Sequence, residues 1–313
     1  MPMLLEIDDA VFSDQGGDVR TVLTLLGYTV DQRHSWLPEP STAEMACRYV
    51  ETQAPGLIVG WREYLVNAAT ASAWQGTDQD PANQVSPPVA VTAANVAGLV
   101  ADLGLPAVII VENARNDGSL LKAVFAAYDR QLSAALEKHW LRIDHAGGGG
   151  DQPWLAGEAA KCFQHVCRVM VLKDNDERKP QQPITAAELA GRTSMEPMIH
   201  IWWRHEVENY LPDAVLQLAT HEHADQLLSH LRSLPTEHQG WIDMKHGLAK
   251  SPAWIANALS PDGQRVWNAG YRKQLPRPLV PDDLALTVDD FRALGEEVHD
   301  ELLHLVDKIK RVL

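Results

Sequence analysis

The chain has 313 residues, of which 45% are hydrophobic and 22% charged, as is ordinary for a globular protein of one large or two smaller domains. Its formal net charge of −15 argues against broad, nonspecific binding to nucleic acid. The sequence shows no signal peptide or membrane-length apolar run, and three cysteines are too few for a disulfide framework. We therefore expect a cytoplasmic protein without a membrane segment.

The first 88 residues are expected to form a small acidic α/β module that could dock a partner. Residues 1–100 carry 12 acidic and 4 basic side chains, a balance of −8. Local patterns predict strands at 4–12 and 56–59 and helices at 19–26 and 43–52. Residues 75–88 are polar and rich in breakers, so they are interpreted as a loop or linker.

Residues 89–250 have the pattern of a second α/β domain. Strands are predicted at 107–112, 140–143, 168–173 and 198–203. Helices are predicted at 119–139 and 156–166. The strands begin about 30 residues apart, which is the length of one βαβ unit. Since their apolar runs are continuous rather than alternating, the pattern predicts a mostly parallel sheet with helices on its faces.

Residues 251–313 are predicted to form a helical C-terminal extension. The segment 275–281, Leu-Pro-Arg-Pro-Leu-Val-Pro, is expected to be a stiff connector. Apolar residues then recur at steps of three and four from Phe291 to Val312, which predicts a packing face on a final helix. Such a face usually packs within its own chain, but it could also mediate a homo-oligomer.

The most informative stretch is the apolar strand 169–173, which is followed by Asp174 and Asp176. Residues two apart at a strand end point to the same side, and open α/β sheets bind ligands at their carboxyl edge. Two carboxylates this close repel each other unless they are protonated or bridged by a cation. Mg²⁺ or Mn²⁺ is the natural bridge, although Asp-Asn-Asp is also an ordinary turn sequence.

Other polar residues are predicted at the same sheet edge. Glu112 ends the strand 107–112, and Asp117 opens the next helix as either a site residue or a helix cap. The glycine run Gly147, Gly148, Gly149 and Gly150 follows the second strand and could approach a phosphate or a metal-bound water. Glu208 follows the fourth strand, and Lys245 could stabilise a developing phosphate anion.

This order of residues resembles the Toprim domain of topoisomerases, primases and nucleases. The resemblance covers about residues 105–250. The string Glu206-Val-Glu208-Asn-Tyr-Leu-Pro, with Lys245-His-Gly downstream, is similar to the nucleases of the overcoming-lysogenization-defect type and related bacterial anti-phage effectors. The resemblance implies a nuclease that cleaves phosphodiester bonds in DNA or RNA with one or two divalent ions.

The resemblance also implies roles for individual residues. Glu112, Asp174 and Asp176 correspond to the core metal ligands, Glu208 to the later acid and Lys245 to the basic catalytic residue. The family pattern Glu-Gly-x-x-acid is altered, because Asn113 replaces the glycine and Asn116 the acid, so Asp117 is taken as the helix ligand. Because the chain lacks a Gly-x-x-x-x-Gly-Lys-Ser/Thr motif, any ATPase or sensor is expected to be a separate protein.

Local bases are expected to contact the nucleic-acid backbone. These are Lys173, Arg178, Lys179, Arg204 and Lys250. Three other interpretations stay open. Asp-x-Asp after a strand also occurs in haloacid-dehalogenase-type phosphatases and in glycosyltransferases, and a degenerate Toprim domain could serve as a scaffold without catalysis.

Overall fold

The computed structural model of the protein describes residues 3–13, 16–75, 88–175, 195–271 and 274–313. Its strands are β1 Leu4–Ile7, β2 Ser35–Trp36, β3 Val89–Val91, β4 Ala107–Val111, β5 Leu141–His145, β6 Val169–Lys173 and β7 Met198–Ile201. They form two sheets, ordered β2-β1-β3 and β5-β4-β6-β7, and all recorded pairings are parallel. The prediction of an α/β protein with mostly parallel sheets is confirmed.

Helices flank both sheets. In the first half of the chain they are α1 Val19–Val30, α2 Pro40–Gln53, α3 Ile58–Gln75, α4 Val96–Gly104, α5 Asp117–Tyr128, α6 Arg130–Glu137 and α7 Gln152–Ala160. In the second half they are α8 Asp213–Leu216, α9 Ala224–Ser233, α10 Thr236–Gln239, α11 Ala253–Ala258, α12 Pro261–Val266, α13 Val288–Arg292 and α14 Glu296–Val312. Within the described ranges, no helix is long and apolar enough to cross a membrane.

The first sheet has its own hydrophobic core, which extends past the predicted boundary at residue 88. β3 pairs with β1, and the core continues through α4 as far as Leu103. The boundary predicted between residues 88 and 89 therefore divides the first core. The strand predicted at 56–59 is also wrong, because Pro55–Leu57 is a 3₁₀ helix that leads into α3. A short apolar run does not by itself distinguish a strand from a helix.

The second sheet carries the larger core. The helix predicted over 119–139 is interrupted at Asp129, whose backbone is extended and whose carboxylate accepts the N–H of Gln131 at 2.8 Å. Asp129 thereby begins α6 as an N-cap, so that two helices replace the one that was predicted. The helix predicted at 156–166 lies earlier, as α7.

The C-terminal extension is helical, as predicted, but it is part of the same core as the second sheet. The apolar face of α14 is buried among β4, β6 and their helices, with Leu302, Leu305 and Ile309 fully inaccessible. The apolar face is thus covered by the chain itself, whereas a homo-oligomer through the C-terminal helix stays a prediction.

Arg168, immediately before β6, joins three parts of the protein. Its buried guanidinium donates to the Leu103 carbonyl at 2.9 Å and also to the Leu105 carbonyl at the end of α4. It donates further to the Val312 carbonyl at 3.0 Å and to the Leu313 carbonyl. The start of β6 is therefore fixed by both cores and by the end of α14.

Residues 274–281, here called the strap, cross the carboxyl edge of the second sheet. Three side chains of the strap are buried, namely Leu275, Leu279 and Val280. Its backbone is held at one end by the bond from Thr220 N–H to the Gln274 carbonyl, 3.0 Å, and at the other by that from Val280 N–H to Ser119 Oγ, 3.0 Å. The predicted connector is thus a fixed element above the sheet edge.

Candidate functional site

A pocket of about 220 Å³ lies at the carboxyl ends of β4 and β6, under the strap. It is lined by Glu112, Asn113, Asn116, Asp117, Asp174, Val207, Glu208, Lys245, Leu275, Arg277 and Leu279. Five of these residues were predicted from sequence as site residues. The parallel strands explain the convergence, because their carboxyl ends share one edge and each is followed by polar residues.

Glu112 lies in the turn between β4 and α5, and Asp117 is the first residue of α5. The Asn113 side chain shapes this turn, since its Oδ1 accepts the N–H groups of Arg115 at 3.0 Å and Asn116 at 3.1 Å. Asp117 Oδ2 in turn accepts the Asn113 N–H at 2.9 Å. An Asx turn therefore occupies the position at which the resemblance would place glycine. Glu112 is exposed, whereas Asp117 is partly buried.

Asp174 and Glu208 approach the pocket from neighbouring segments. Asp174 directly follows β6, and its Oδ1 accepts the Val207 N–H at 3.2 Å. Val207 begins the 3₁₀ helix Val207–Tyr210, which also carries Glu208. The Glu206 N–H donates to Asn209 Oδ1 at 3.1 Å, and Glu206 Oε1 accepts the Met244 N–H at 2.9 Å. These bonds fix both glutamates relative to the strand end.

Lys245 is the cation at the base of the cluster. Its ammonium lies 3.0 Å from Glu208 Oε1 and 3.2 Å from Glu206 Oε2. Burial lowers the pKa of Lys245, but the carboxylates of Glu208 and Glu206 outweigh burial and raise the pKa above its ordinary value. Lys245 thus keeps its charge at neutral pH and acts as a fixed positive charge rather than as an acid or base.

For the carboxyl groups of Asp117, Asp174 and Glu208, burial outweighs the attraction of Lys245 and raises their pKa values. Burial, with a further contribution from Glu208, raises the pKa of Asp174 well above its usual value. Burial and the neighbouring Glu206 raise the pKa of Glu208 to about 7, in spite of its contact with Lys245. Burial also raises the pKa of Asp117 to about 6. One ammonium is therefore too little positive charge for the carboxylates around it.

The donor set fits a hard divalent cation. It consists of carboxylate oxygens, the ligands that Mg²⁺ prefers, and Glu208 Oε2 is buried without a hydrogen-bond partner among the described residues. In the same part of the chain, no three His, Cys, Asp or Glu side chains converge closely enough to hold a metal on their own. Mg²⁺ commonly keeps several water ligands and needs only one or two carboxylates.

The structure brings together Glu112, Asp117, Asp174, Glu208 and Lys245, as the sequence predicted. Asp176, Arg178 and Lys179 lie outside the described residues. The glycine run 147–150 follows β5, but it does not line this pocket. Within this run, the Gly147 N–H donates to the nearby His145 Nδ1 at 3.0 Å.

The predicted nucleic-acid contacts have different surroundings. Lys173, at the end of β6, is half-buried, and Lys250 is exposed. The structure contradicts the prediction for Arg204, whose buried guanidinium donates to the carbonyls of Asn209 and Leu294 and to Glu297. The guanidinium of Arg204 is therefore used in bonds within the fold and does not face a nucleic acid.

Two charged residues near the pocket were not predicted as site residues. Glu206 shares Lys245 with Glu208, and its spacing of two residues from Glu208 was the available signal. Arg277 reaches the pocket from the strap, 165 positions after Glu112 in the chain. Nothing in the local sequence around Arg277 indicates that the strap returns to this sheet edge.

Comparisons of the chain with protein-family models, with curated proteins and with solved structures gave no match. The site is therefore interpreted from its own geometry and chemistry.

Proposed function

We propose that this chain is a divalent-metal-dependent nuclease that hydrolyses phosphodiester bonds in DNA or RNA. The observation that supports the proposal is the pocket at the carboxyl edge of the second sheet. Glu112, Asp117, Asp174 and Glu208 line it together with Lys245, although they come from separate segments of the chain. The resemblance of their order to Toprim nucleases supports the same reaction, and with it a role as an effector in bacterial anti-phage defence.

In this proposal Asp174 and Glu208, with Glu112 at the rim, would hold Mg²⁺ or Mn²⁺. When bound, the ion supplies an activated water near neutral pH and a positive charge for the scissile phosphate. Lys245 orients Glu208 through the 3.0 Å contact and adds a permanent positive charge at the base of the pocket. A charge that is fixed in advance in a site that excludes water stabilises the transition state more than the same charge would in water.

Two acids are suited to proton transfer near neutral pH. The pKa of Glu208 is about 7 and that of Asp117 about 6, and the best general bases have a pKa near the working pH. Asp117 is the better candidate, because Glu208 is already occupied by Lys245. Its Oδ2 accepts a backbone N–H, which leaves Oδ1 as the oxygen that could take a proton.

The decisive experiment compares cleavage of plasmid DNA and total tRNA by the wild-type chain in Mg²⁺, in Mn²⁺ and in EDTA. We expect metal-dependent cleavage that Asp174→Asn reduces by at least about 100-fold. Asp144→Asn is a matched control, since Asp144 lies on β5 in the same sheet, pairs with Arg142 and does not line the pocket. Cleavage that survives both EDTA and Asp174→Asn would refute the proposal.

A second candidate is a scaffold that has kept the fold without catalysis. The observation in its favour is that no group of three ligands in the described part of the chain is close enough to hold a metal by itself. The two proposals differ in metal binding. Mn²⁺ titration followed by electron paramagnetic resonance is expected to show a site that Asp174→Asn removes in a nuclease, and no such site in a scaffold.

The proposed partners are a nucleic-acid substrate and a separate ATPase or sensor protein. If the purified chain binds Mn²⁺ but does not cut, a native pull-down tests the second of these. Recovery of a nucleotide-binding protein that restores metal-dependent cleavage would support the proposal. Recovery of the chain alone would count against a required partner.

A further inference from the structure

The strap brings a second cation to the acidic pocket. Arg277 lines the pocket together with Asp117, Asp174 and Glu208, yet its side chain is exposed. Within the described residues its guanidinium forms neither a hydrogen bond nor an ion pair, although carboxylates line the same pocket. An arginine at such a place has its five N–H donors available for a ligand from solution.

Lys245, unlike Arg277, is paired with acids of the protein itself. Its ammonium is already in contact with Glu206 and Glu208, at 3.2 Å and 3.0 Å. A nucleic-acid strand that approached the pocket would meet mainly carboxylates, and their charges would repel its phosphates. Arg277 carries a positive charge at the rim of the pocket, and this charge favours the approach of a phosphate.

The backbone that carries Arg277 is fixed in advance. The carbonyl of Arg277 accepts a bond from Arg115 Nη2 at 3.1 Å, and Val280 N–H is bonded to Ser119 Oγ at 3.0 Å. Ser119 Oγ in turn donates to the Asn116 carbonyl at 2.6 Å, so the strap is attached to the same turn that carries the acids. Because the backbone is already ordered, binding has to restrict only the side chain.

We propose that Arg277 binds a backbone phosphate of the substrate adjacent to the phosphodiester that is cut. This inference rests on the proposed function and deepens it, because it defines the substrate as a strand that continues past the scissile bond. The planar guanidinium can donate two parallel N–H groups to one phosphate, which lysine cannot do. Arg277 is thus a positioning residue for the strand, whereas the acids and Lys245 act at the reacting phosphate.

The test compares two substrates of the full-length protein in Mn²⁺. The first is an oligonucleotide, which has neighbouring phosphates, and the second is bis(p-nitrophenyl) phosphate, which has none. We expect Arg277→Ala to raise KM for the oligonucleotide by about tenfold and to raise KM for the small diester far less, because that substrate has no neighbouring phosphate. Arg277→Lys should recover part of the loss, since it keeps the charge but not the two-pronged contact.

A binding experiment supplies a readout that does not depend on cleavage. Binding of a fluorescent oligonucleotide in Ca²⁺ is measured at several salt concentrations. Arg277→Ala is expected to reduce the slope of log K against log salt by about 0.7 to 0.9, the value for one lost phosphate contact. The control is Arg265→Ala, because Arg265 is an exposed arginine that pairs with Asp262 and lies outside the pocket.

Each outcome decides the inference. Equal oligonucleotide binding by wild type and Arg277→Ala would overturn it and leave the proposed nuclease intact. Equal loss on both substrates would also overturn it, because Arg277 would then act at the scissile phosphate or on the fold. If the wild type cleaves neither substrate and does not bind the oligonucleotide, the proposed function fails and this inference fails with it.

Discussion

Two buried carboxyl groups, Glu208 and Glu301, are far apart in the chain and have opposite surroundings. Glu208 lines the acidic pocket, while Glu301 of α14 contacts Tyr210, the last residue of the 3₁₀ helix that carries Glu208. Both side chains are almost inaccessible, with exposed fractions of 4% and 1%. The difference between them shows what distinguishes a buried acid of the core from one at a site.

Glu301 has partners for both of its oxygens. Oε1 accepts the Trp203 N–H at 2.8 Å and lies 3.0 Å from His200 Nε2, and Oε2 accepts the Tyr210 hydroxyl. Burial raises the pKa of Glu301 to about 8 and lowers the pKa of His200 well below its usual value. The network around Glu301 also includes the buried Lys308, whose Nζ lies 3.3 Å from His200 Nδ1, and it is saturated with hydrogen bonds, as is usual for a structural core.

Glu208 has a partner for one oxygen only. Oε1 contacts Lys245, whereas Oε2 is buried without a partner among the described residues. An unsatisfied buried polar atom reduces the free energy of unfolding by about 1 to 3 kcal/mol. An unsatisfied carboxylate oxygen among other carboxylates can serve a cation, and this is the physical reason for proposing a function for the pocket rather than for the network around Glu301.

The largest effect is expected when the network around Glu301 is broken. Glu301→Ala leaves Tyr210, His200 and the Trp203 N–H without their acceptor, so the free energy of unfolding should fall by about 3 to 5 kcal/mol. Glu301→Gln should cost about 1 kcal/mol, because the neutral amide resembles the protonated acid present at pH 7. Urea denaturation at pH 7 measures both, and equal losses would show that the hydrogen bonds contribute little.

In the pocket, by contrast, replacing a buried acid is expected to raise the free energy of unfolding. Because burial raises the pKa of Glu208 to about 7, ionisation of the folded protein is unfavourable. The contribution of Glu208 to stability is fully present below about pH 4.5 and is lost as the pH rises through 7. Glu208→Gln should therefore stabilise the protein by about 1 to 3 kcal/mol at pH 8, and not below pH 4.5. A destabilised variant at pH 8 would contradict this comparison of the two acids.

A divalent cation should relieve the same unfavourable charge. At ten times its dissociation constant, Mg²⁺ is expected to stabilise the chain by about 1.4 kcal/mol at pH 8, or roughly 2 to 4 °C in Tm. The effect should be smaller at pH 5, where Asp117 and Glu208, with pKa values of about 6 and 7, are protonated. Differential scanning calorimetry of the wild type and Asp174→Asn, with NaCl of equal ionic strength as control, checks this. The same shift in both proteins would exclude a metal at Asp174.

The smallest effect is expected at the rim of the pocket. Arg115→Ala removes the 3.1 Å bond to the Arg277 carbonyl, but the bond is exposed and the strap keeps its attachment at Ser119. The free energy of unfolding should change by no more than about 0.5 kcal/mol. A loss above 1 kcal/mol in urea denaturation would mean that the rim, like the network around Glu301, supports the fold.

The strands of the second sheet could be predicted from the sequence because fully buried strands read as continuous apolar runs. Residues 107–111 and 169–173 are examples, and each is followed directly by the acid that enters the pocket. Parallel strands alone then bring Glu112 and Asp174 to one edge. Asp129 was missed as the end of a helix because the apolar face continues on both sides of it.

The strap and the core acids could not be predicted in this way. Arg277 and Glu301 reach their places through contacts between residues far apart in the chain, such as Val280 with Ser119. Local periodicity carries no information about such contacts. For the same reason the sequence predicts a nucleic-acid contact at Arg204, although its partners Leu294 and Glu297 bury it.

The bonds of Arg168 have a consequence for protein synthesis. Two of its acceptors, the carbonyls of Val312 and Leu313, are translated 144 and 145 residues after it. A nascent chain that has not reached Leu313 leaves the guanidinium before β6 short of partners, and β6 leads directly to Asp174. Domains usually fold from the N-terminus as they emerge from the ribosome, but the start of β6 has all its partners only after residues 312 and 313 have been added. We expect deletion of residues 309–313 to destabilise the start of β6 and, under the proposed function, to abolish cleavage.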